Sequence, residues 1–184
     1  MRKITSGLFI SVDGVTDEPE KWQTEYYGPD LGEVVASIVA DADAVLFGAR
    51  SYKRFKAVFE GKTSADLPFA ELWNTLPKYV VSTTLKSADW HNSHLIGGNV
   101  PEEITKLKQQ QGKNIVVGAS ATLVRWLLDN GLLDELHLTI HPVVVGHGKR
   151  LFEPGDGKKI GLQLLRSSVL STGIVYAAYA PVYK

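Results

Sequence analysis

Asn114-Ile115-Val116-Val117-Gly118-Ala119-Ser120-Ala121-Thr122-Leu123-Val124 runs from a buried-strand pattern, through a turn of small residues, straight into a helix. A helix start presents unpaired backbone N–H groups and the positive end of the helix dipole, so a phosphate binds there without any basic side chain. The small residues Gly118, Ala119 and Ser120 let an anion approach the backbone closely.

Reading outward from this segment gives an α/β rhythm of apolar runs alternating with amphipathic ones. Ile4 to Ser11 reads as a first strand, Leu31 to Ala40 as a helix with Val34, Val35, Ile38 and Val39 on one stripe, and Ala44 to Phe47 as a buried strand ending at Gly48. A short helix starts at Arg50. Phe69 to Asn74 makes a helical turn, Lys78 to Ser82 a strand, Ser93 to Ile96 a short strand closed by Gly97-Gly98, and Pro101 to Gln110 a helix with proline in its first turn. Leu123, Val124, Leu127 and Leu128 form a helical stripe that Asn130-Gly131 stops. The crossovers imply parallel strands up to this point.

The C-terminal third changes character. Glu135 to Val145 alternates Leu136, Leu138 and Ile140 against His137, Thr139 and His141, the pattern of a long half-exposed strand. Gly161 to Leu170 and Ile174 to Val182 flank Ser171-Thr172-Gly173, a hairpin connection. Gly146 to Lys159, with four glycines and Pro154, reads as a mobile loop. The expected architecture is a three-layer α/β sandwich: a mixed, mostly parallel sheet with an antiparallel C-terminal hairpin, in one domain spanning residues 1–184.

Composition narrows the partners. The chain has 184 residues, 44% of them hydrophobic, enough for one ordinary core. Twenty basic and twenty acidic residues cancel without a long run of either sign, which points away from nucleic acid and membrane surfaces and toward a small molecule. The absence of cysteine removes disulfides, thiolate catalysis and cysteine-rich metal sites, and agrees with a reducing compartment. The N-terminal stretch is too short and too polar for a signal peptide or a membrane span, so the expected location is the cytoplasm. His137 and His141 share one strand face but have no third ligand in the pattern, and no metal site is expected.

Five segments carry a family resemblance: Ile10-Ser11-Val12-Asp13-Gly14; Asp43 to Tyr52 (DAVLFGARSY); Lys78 to Leu85 (KYVVSTTL); Gly118-Ala119-Ser120; and Leu133 to Leu136 (LDEL) continuing through His141 to Phe152 (HPVVVGHGKRLF). In this order and spacing the chain resembles the dihydrofolate reductase-like reductases that include the C-terminal reductase domain of the bifunctional riboflavin biosynthesis enzyme. The resemblance implies a reductase, a homodimer, that holds NADPH across the C-terminal edge of the sheet. It implies that Gly48, Arg50, Ser51 and Tyr52 hold the cofactor phosphates, that Ser82 and Thr83, with Gly97 nearby, meet the adenosine ribose, and that Gly118, Ala119, Ser120, Thr122 and Leu123 receive the pyrophosphate or nicotinamide side. A basic residue commonly stands where this chain has Thr83; Lys86 is a substitute, and NADH stays open beside NADPH.

In such a fold the cofactor supplies the hydride, to a C=N or C=O carbon, and the protein supplies orientation and electrostatics. The implied substrate is small and pterin- or pyrimidine-like. Two carboxylates are catalytic candidates. Asp30, in Gly28-Pro29-Asp30-Leu31, occupies the place of a substrate-anchoring carboxylate, although an Asp just before an apolar helical stripe is more ordinarily a helix N-cap. Asp13 follows the first strand, where Asp13-Gly14 is also an ordinary turn signal. Pathway reductases carry an acidic residue after the Gly48-type turn, where this chain has Lys53, Arg54 and Phe55, which favours a stand-alone reductase. Trp22, Tyr26, Tyr27, Tyr52, Phe55 and Phe59 are candidate pocket linings. The alternative from another class is a non-catalytic nucleotide-binding module of the same fold.

Overall fold

Strand β1 (Ile4–Ser11) is buried along nearly its whole length because it lies mid-sheet, paired in parallel with two strands from the second half of the chain. The computed structural model describes residues 1–153, 155 and 159–183. After β1 come α1 (Pro29–Val39), β2 (Ala42–Gly48), α2 (Ala49–Phe59), α3 (Ala70–Thr75), β3 (Lys78–Val81), β4 (Ser93–Ile96), α4 (Val100–Gln109), β5 (Asn114–Gly118), α5 (Ala121–Asp129), β6 (Glu135–His141), β7 (Gly161–Val169) and β8 (Val175–Val182). The eight strands form one sheet in the order β4-β3-β2-β5-β1-β6-β8-β7. All pairings are parallel except those of β8 with β6 and with β7.

Helices cover both faces, as right-handed crossovers in opposite directions require. On one face α4 and α5 bury Ile104, Leu107, Leu123, Val124, Leu127 and Leu128 against Ile4, Leu46, Ile115, Val117 and Leu136. On the other, Val39, Tyr52 and Trp73 from α1, α2 and α3 pack on Val45, Phe47, Val80 and Val116. Leu31 of α1 meets Leu170 and Ile174 of the hairpin. This is the expected mixed sheet between helical layers.

Four expectations are corrected. Strand β6 ends at His141, not at Val145: Pro142 cannot donate to a ladder, and Val143 N–H turns back to the His141 carbonyl at 2.8 Å. Nor is β6 half-exposed, because β1 and β8 flank it and its polar face is bonded largely from within, with His141 Nε2 buried and unpartnered. His137 Nδ1 meets the Tyr176 hydroxyl at 2.8 Å and its Nε2 meets Glu135 at 3.2 Å. Thr139 Oγ1 donates to the Leu8 carbonyl, and His141 Nδ1 lies 2.9 Å from the Thr139 carbonyl with Phe9, Trp22 and Tyr26 edge-on around its ring. Third, Tyr52, Phe55 and Phe59 do not line a pocket; they pack with Phe47, Trp73 and Trp90 in the core under α2. Fourth, the loop Gly146 to Lys159 falls in part outside the described residues, but its first half is fastened: Val15 bridges Arg150, Thr16 N–H donates to the Lys149 carbonyl and Leu151 N–H to the Gly14 carbonyl.

Gly118 is required by packing. A Cβ there would lie 2.0 Å from Phe47 Cε1 on the neighbouring strand. Gly118→Ala therefore destabilises the fold by about 1–3 kcal/mol through overpacking, and Phe47→Leu in the same background recovers part of that loss in urea denaturation.

Lys78, at the start of β3, is fully buried and gives its N–H groups to the carbonyls of Asn74, Leu76 and His91, with Trp90 beneath it at 4.5 Å. Burial pushes its ammonium down to about 8 from the usual 10.5. The folded chain thus sheds this proton before the unfolded chain does, so the Lys78 contribution to stability rises between pH 8 and 10.5 and falls as pH drops through 8. Urea midpoints measured across that window rise with pH more steeply for the wild type than for Lys78→Met.

Candidate functional site

Strands β2 and β5 are neighbours whose outgoing connections diverge, β2 through α2 outward to β3 and β5 through α5 past β1 to β6. Such a divergence opens a crevice at the carboxyl ends of the strands. Both helices start at that crevice, α2 from Gly48 and α5 from Ser120, and neither start is capped by a side chain. The first-turn amides of Ala49, Arg50 and Ser51 and those of Ala121, Thr122 and Leu123 therefore form two adjacent anion-accepting ends.

The two bends touch. The Ser51 hydroxyl donates to the Ala119 carbonyl at 3.0 Å. A Cβ on Gly48 would lie 2.7 Å from Ser120 Oγ, so Gly48 is what lets the bends close on each other. Ala119 takes a left-handed conformation, φ 44°, uncommon for a residue with a side chain, and turns the chain sharply between Gly118 and α5. Register extends the row: Gly48 pairs with Val81 and Val81 with Ile96, so Ser82 and Gly97 follow beside Gly48 along the same edge.

The expected residues thus assemble, but through backbone more than side chain. Arg50 is exposed at the α2 start and pairs with Asp17 at 3.2 Å. Thr83 and Thr122 are exposed, whereas Ser120 is nearly buried. Three side chains of the expected set are engaged within the protein. Ser51 spends its hydroxyl on the neighbouring bend; the Tyr52 hydroxyl accepts the Trp90 amide at 2.7 Å inside the core; and Leu123 is buried under the sheet. Ser82 Oγ accepts the amides of Thr84 and Leu85, which shapes its own loop.

The carboxylates are likewise engaged. Asp13 accepts from the Ser11 hydroxyl at 2.6 Å and from the amides of Val145 and Gly146 at 3.1 and 2.9 Å, fastening the end of β1 to the segment after β6. These bonds, the Ser11 hydroxyl's first, hold its carboxyl well below the usual range and favour the anion. Asp30 is not the N-cap of α1, which is Gly28. Its carboxylate accepts the Ser171 amide at 2.5 Å and the Leu31 amide at 3.1 Å, bracing α1 against the hairpin turn, and the Ser171 bond lowers its pKa. Unforeseen was the strap across α2, in which Asp17 pairs with Arg50 and Glu20 with Arg54. Opposite charges at matching spacing were its only sequence signal.

The family described as RibD C-terminal domain matches residues 2–176. The Bacillus subtilis (strain 168) protein YyaP is 31% identical over 183 residues, covering 97% of this chain and 94% of its own. A putative riboflavin biosynthesis protein from Shewanella sp. PV-4 superposes with a TM-score of 0.78 at 16% identity, over 98% of this chain and 99% of that one. A dihydrofolate reductase from Enterococcus faecalis, solved with NADP(H), superposes at 0.59 and 13% identity, over 97% and 96%.

The Asp13 fastening has a pH signature. Its anionic stabilisation is present above the unfolded carboxyl value near 3.8 and is lost as pH falls below it. Asp13→Asn melts at a lower temperature than the wild type at pH 7, and the gap narrows progressively as pH falls below about 4; thermal denaturation at pH 7, 5, 3.5 and 2.5 reads it.

Proposed function

We infer the function of this chain from its family and its bends: it belongs to the RibD C-terminal domain family, and we propose that it is an NADPH-dependent reductase. It transfers hydride to a C=N or C=O bond of a small substrate of pterin- or pyrimidine-like chemistry, as a cytoplasmic homodimer. The observation that carries this reading is the pair of uncapped helix starts, α2 and α5, meeting at one crevice through Ser51 and Ala119.

The residues fit a dinucleotide. A pyrophosphate needs backbone donors and room, and the Gly48 bend offers both, since only hydrogen fills the place of its Cβ beside Ser120. The amides of Ala49 to Ser51 and of Ala121 to Leu123 would hold the phosphates, with the Arg50 guanidinium beside them. Ser82, Thr83 and Gly97 would border the adenosine end. When bound, the nicotinamide supplies the hydride. The chain's own part is to fix position: Ala119 turns its backbone into the crevice, and Asp13 holds the end of β1 and the segment after β6 as one rim. Asp30, ionised, acts as an acceptor that orients a substrate N–H edge, not as an acid.

Titration with NADPH, followed by the fluorescence of the reduced nicotinamide, gives saturable binding, and Arg50→Glu weakens it about tenfold or more through loss of a charged hydrogen bond. Stopped-flow oxidation of the bound cofactor against dihydrofolate, pyrimidine ribosylamines, imines and quinones then identifies the acceptor. Saturable binding without oxidation by any of them favours the non-catalytic module, and no binding at millimolar NADPH or NADH ends the proposal.

A further inference from the structure

Between β1 and α1 the chain lies over the carboxyl end of β6 as the strap that meets α2. It contains two short 3₁₀ turns, Pro19–Lys21 and Thr24–Tyr26, and no residue of either is buried. Many of its hydrogen bonds are its own: Trp22 Nε1 donates to the Asp17 carbonyl and Thr24 Oγ1 to the Glu20 carbonyl, each at 3.0 Å, and Lys21 pairs with Glu18. To the rest of the described chain it is tied by the surface pairs Asp17 with Arg50 and Glu20 with Arg54, and by the Tyr26 hydroxyl, which donates to the Pro142 carbonyl at a long 3.4 Å. A cavity of about 110 Å³ separates its start, at Asp17, Lys21 and Trp22, from the segment Val145 to Gly148. Glu18 takes a left-handed conformation, φ 45°, which strains a residue with a side chain. Held by surface charge, underpacked and strained at one end, the strap is the part of this edge that leaves its place most easily.

What it covers is polar and unsatisfied. His141 is fully buried, with Trp22 and Tyr26 edge-on at ring-centroid distances of 5.3 and 5.9 Å. Its Nδ1 faces the Thr139 carbonyl at 2.9 Å and so carries the ring's proton, while burial favours the neutral ring. Nε2 is left a bare acceptor without a partner, and the Ile10 carbonyl near the ring, an acceptor itself, cannot serve it. Two further buried polar atoms without partners belong to the same junction, the Gln23 side-chain oxygen in the strap and the Thr172 hydroxyl in the hairpin turn that Asp30 holds through Ser171. Buried polar atoms are nearly always bonded, so three at one junction mark a place where a ligand supplies the partners.

We propose that the strap is a latch set by charge: with Asp17 on Arg50 it covers His141, and an anion arriving at the start of α2 takes Arg50, frees the strap and opens His141 to a substrate group with an N–H or O–H to donate. This rests on the reductase reading, in which the anion is the cofactor's phosphate. The mechanism is an exchange of partners. Arg50 stands beside the α2 amides, so a phosphate bound there competes with the Asp17 carboxylate for one guanidinium and repels that carboxylate directly. The phosphate gains the helix amides as well, and a surface ion pair offers little resistance. The coupling is reciprocal: a latched strap weakens cofactor binding by the same factor by which bound cofactor loosens the strap. Cofactor therefore binds before substrate, and His141 receives its ligand only when a hydride is at hand.

Two measurements on the full chain read the latch. Diethyl pyrocarbonate acylates an accessible neutral imidazole nitrogen, so mass spectrometry of the modified chain reports the exposure of His141, and hydrogen–deuterium exchange reports the amides of residues 18–27. Saturating NADPH, and inorganic pyrophosphate alone, raise the acylation rate at His141 about fivefold or more and speed exchange across 18–27. The amides at the starts of α2 and α5 slow, and His137, bonded to Tyr176, keeps its rate. The double variant Asp17→Asn, Glu20→Gln shows the open behaviour without any ligand and binds NADPH roughly two- to fivefold more tightly, as removal of a competing surface pair requires. With the acceptor substrate, His141→Phe raises KM about tenfold or more while kcat changes less than about twofold, and His141→Gln, which keeps an acceptor, recovers most of the loss. NADPH that binds yet leaves His141 as slow as before, or protects residues 18–27, overturns the latch and spares the reductase. A folded double variant that behaves as the wild type overturns it too, and an unchanged KM in His141→Phe removes His141 from the substrate site. Failure of both NADPH and pyrophosphate to bind ends the reductase reading, and the double variant then still decides whether the two pairs hold the cover.

Discussion

The ring of Phe47 occupies the volume into which a side chain at position 118 would project, and the carboxyl edge of the sheet is arranged around that exclusion. With no Cβ at Gly118, β5 lies flush against β2, Ala119 turns through the left-handed region, and α5 starts where Ser120 faces Gly48. The missing Cβ at Gly48 completes the fit. Two helices that leave in opposite directions are brought start to start, and the crevice between them is lined by peptide groups more than by side chains.

That backbone lining accounts for the behaviour of the polar side chains around it. Ser51, Ser82, Asp13 and Asp30 all bond to amides, carbonyls or hydroxyls of their own chain. Those bonds hold the surrounding loops in shape and favour the ionised form of both carboxylates. The exposed exception is Arg50, whose partner Asp17 is a surface contact of the kind that contributes little to stability and so yields readily to a stronger anion.

Much of the fold was legible in the sequence because its signals are local. The small-residue bend after Val117, the Gly48 bend and the proline of α4 each mark a boundary that the structure keeps within a residue or two. The end of β6 and the burial of His137 and His141 were not legible, because alternation reports only that one face differs from the other. Here the differing face is polar yet internally bonded, through Tyr176 from β8 and Glu135. The site was legible as two bends at given positions, but the spending of the Ser51 and Tyr52 hydroxyls depends on Ala119 and Trp90, residues brought close only by the finished sheet. The same holds for β7, whose leucines read as an ordinary strand although every one of its nine residues is exposed.

The placing of β1 has a consequence for how the chain is made. It leaves the ribosome before the rest of the sheet, and both of its neighbours, β5 and β6, come from beyond residue 113. At ordinary rates of synthesis its backbone waits roughly 5 to 20 s for a partner. The amphipathic segments made in between have no finished sheet to rest on during that time. Topology of this kind, rich in distant pairings, slows folding and lengthens the exposure of Ile4, Leu8 and Ile10 to other nascent chains. Whatever holds those residues in the interval, a chaperone or α1 itself, must release them when Ile115 arrives.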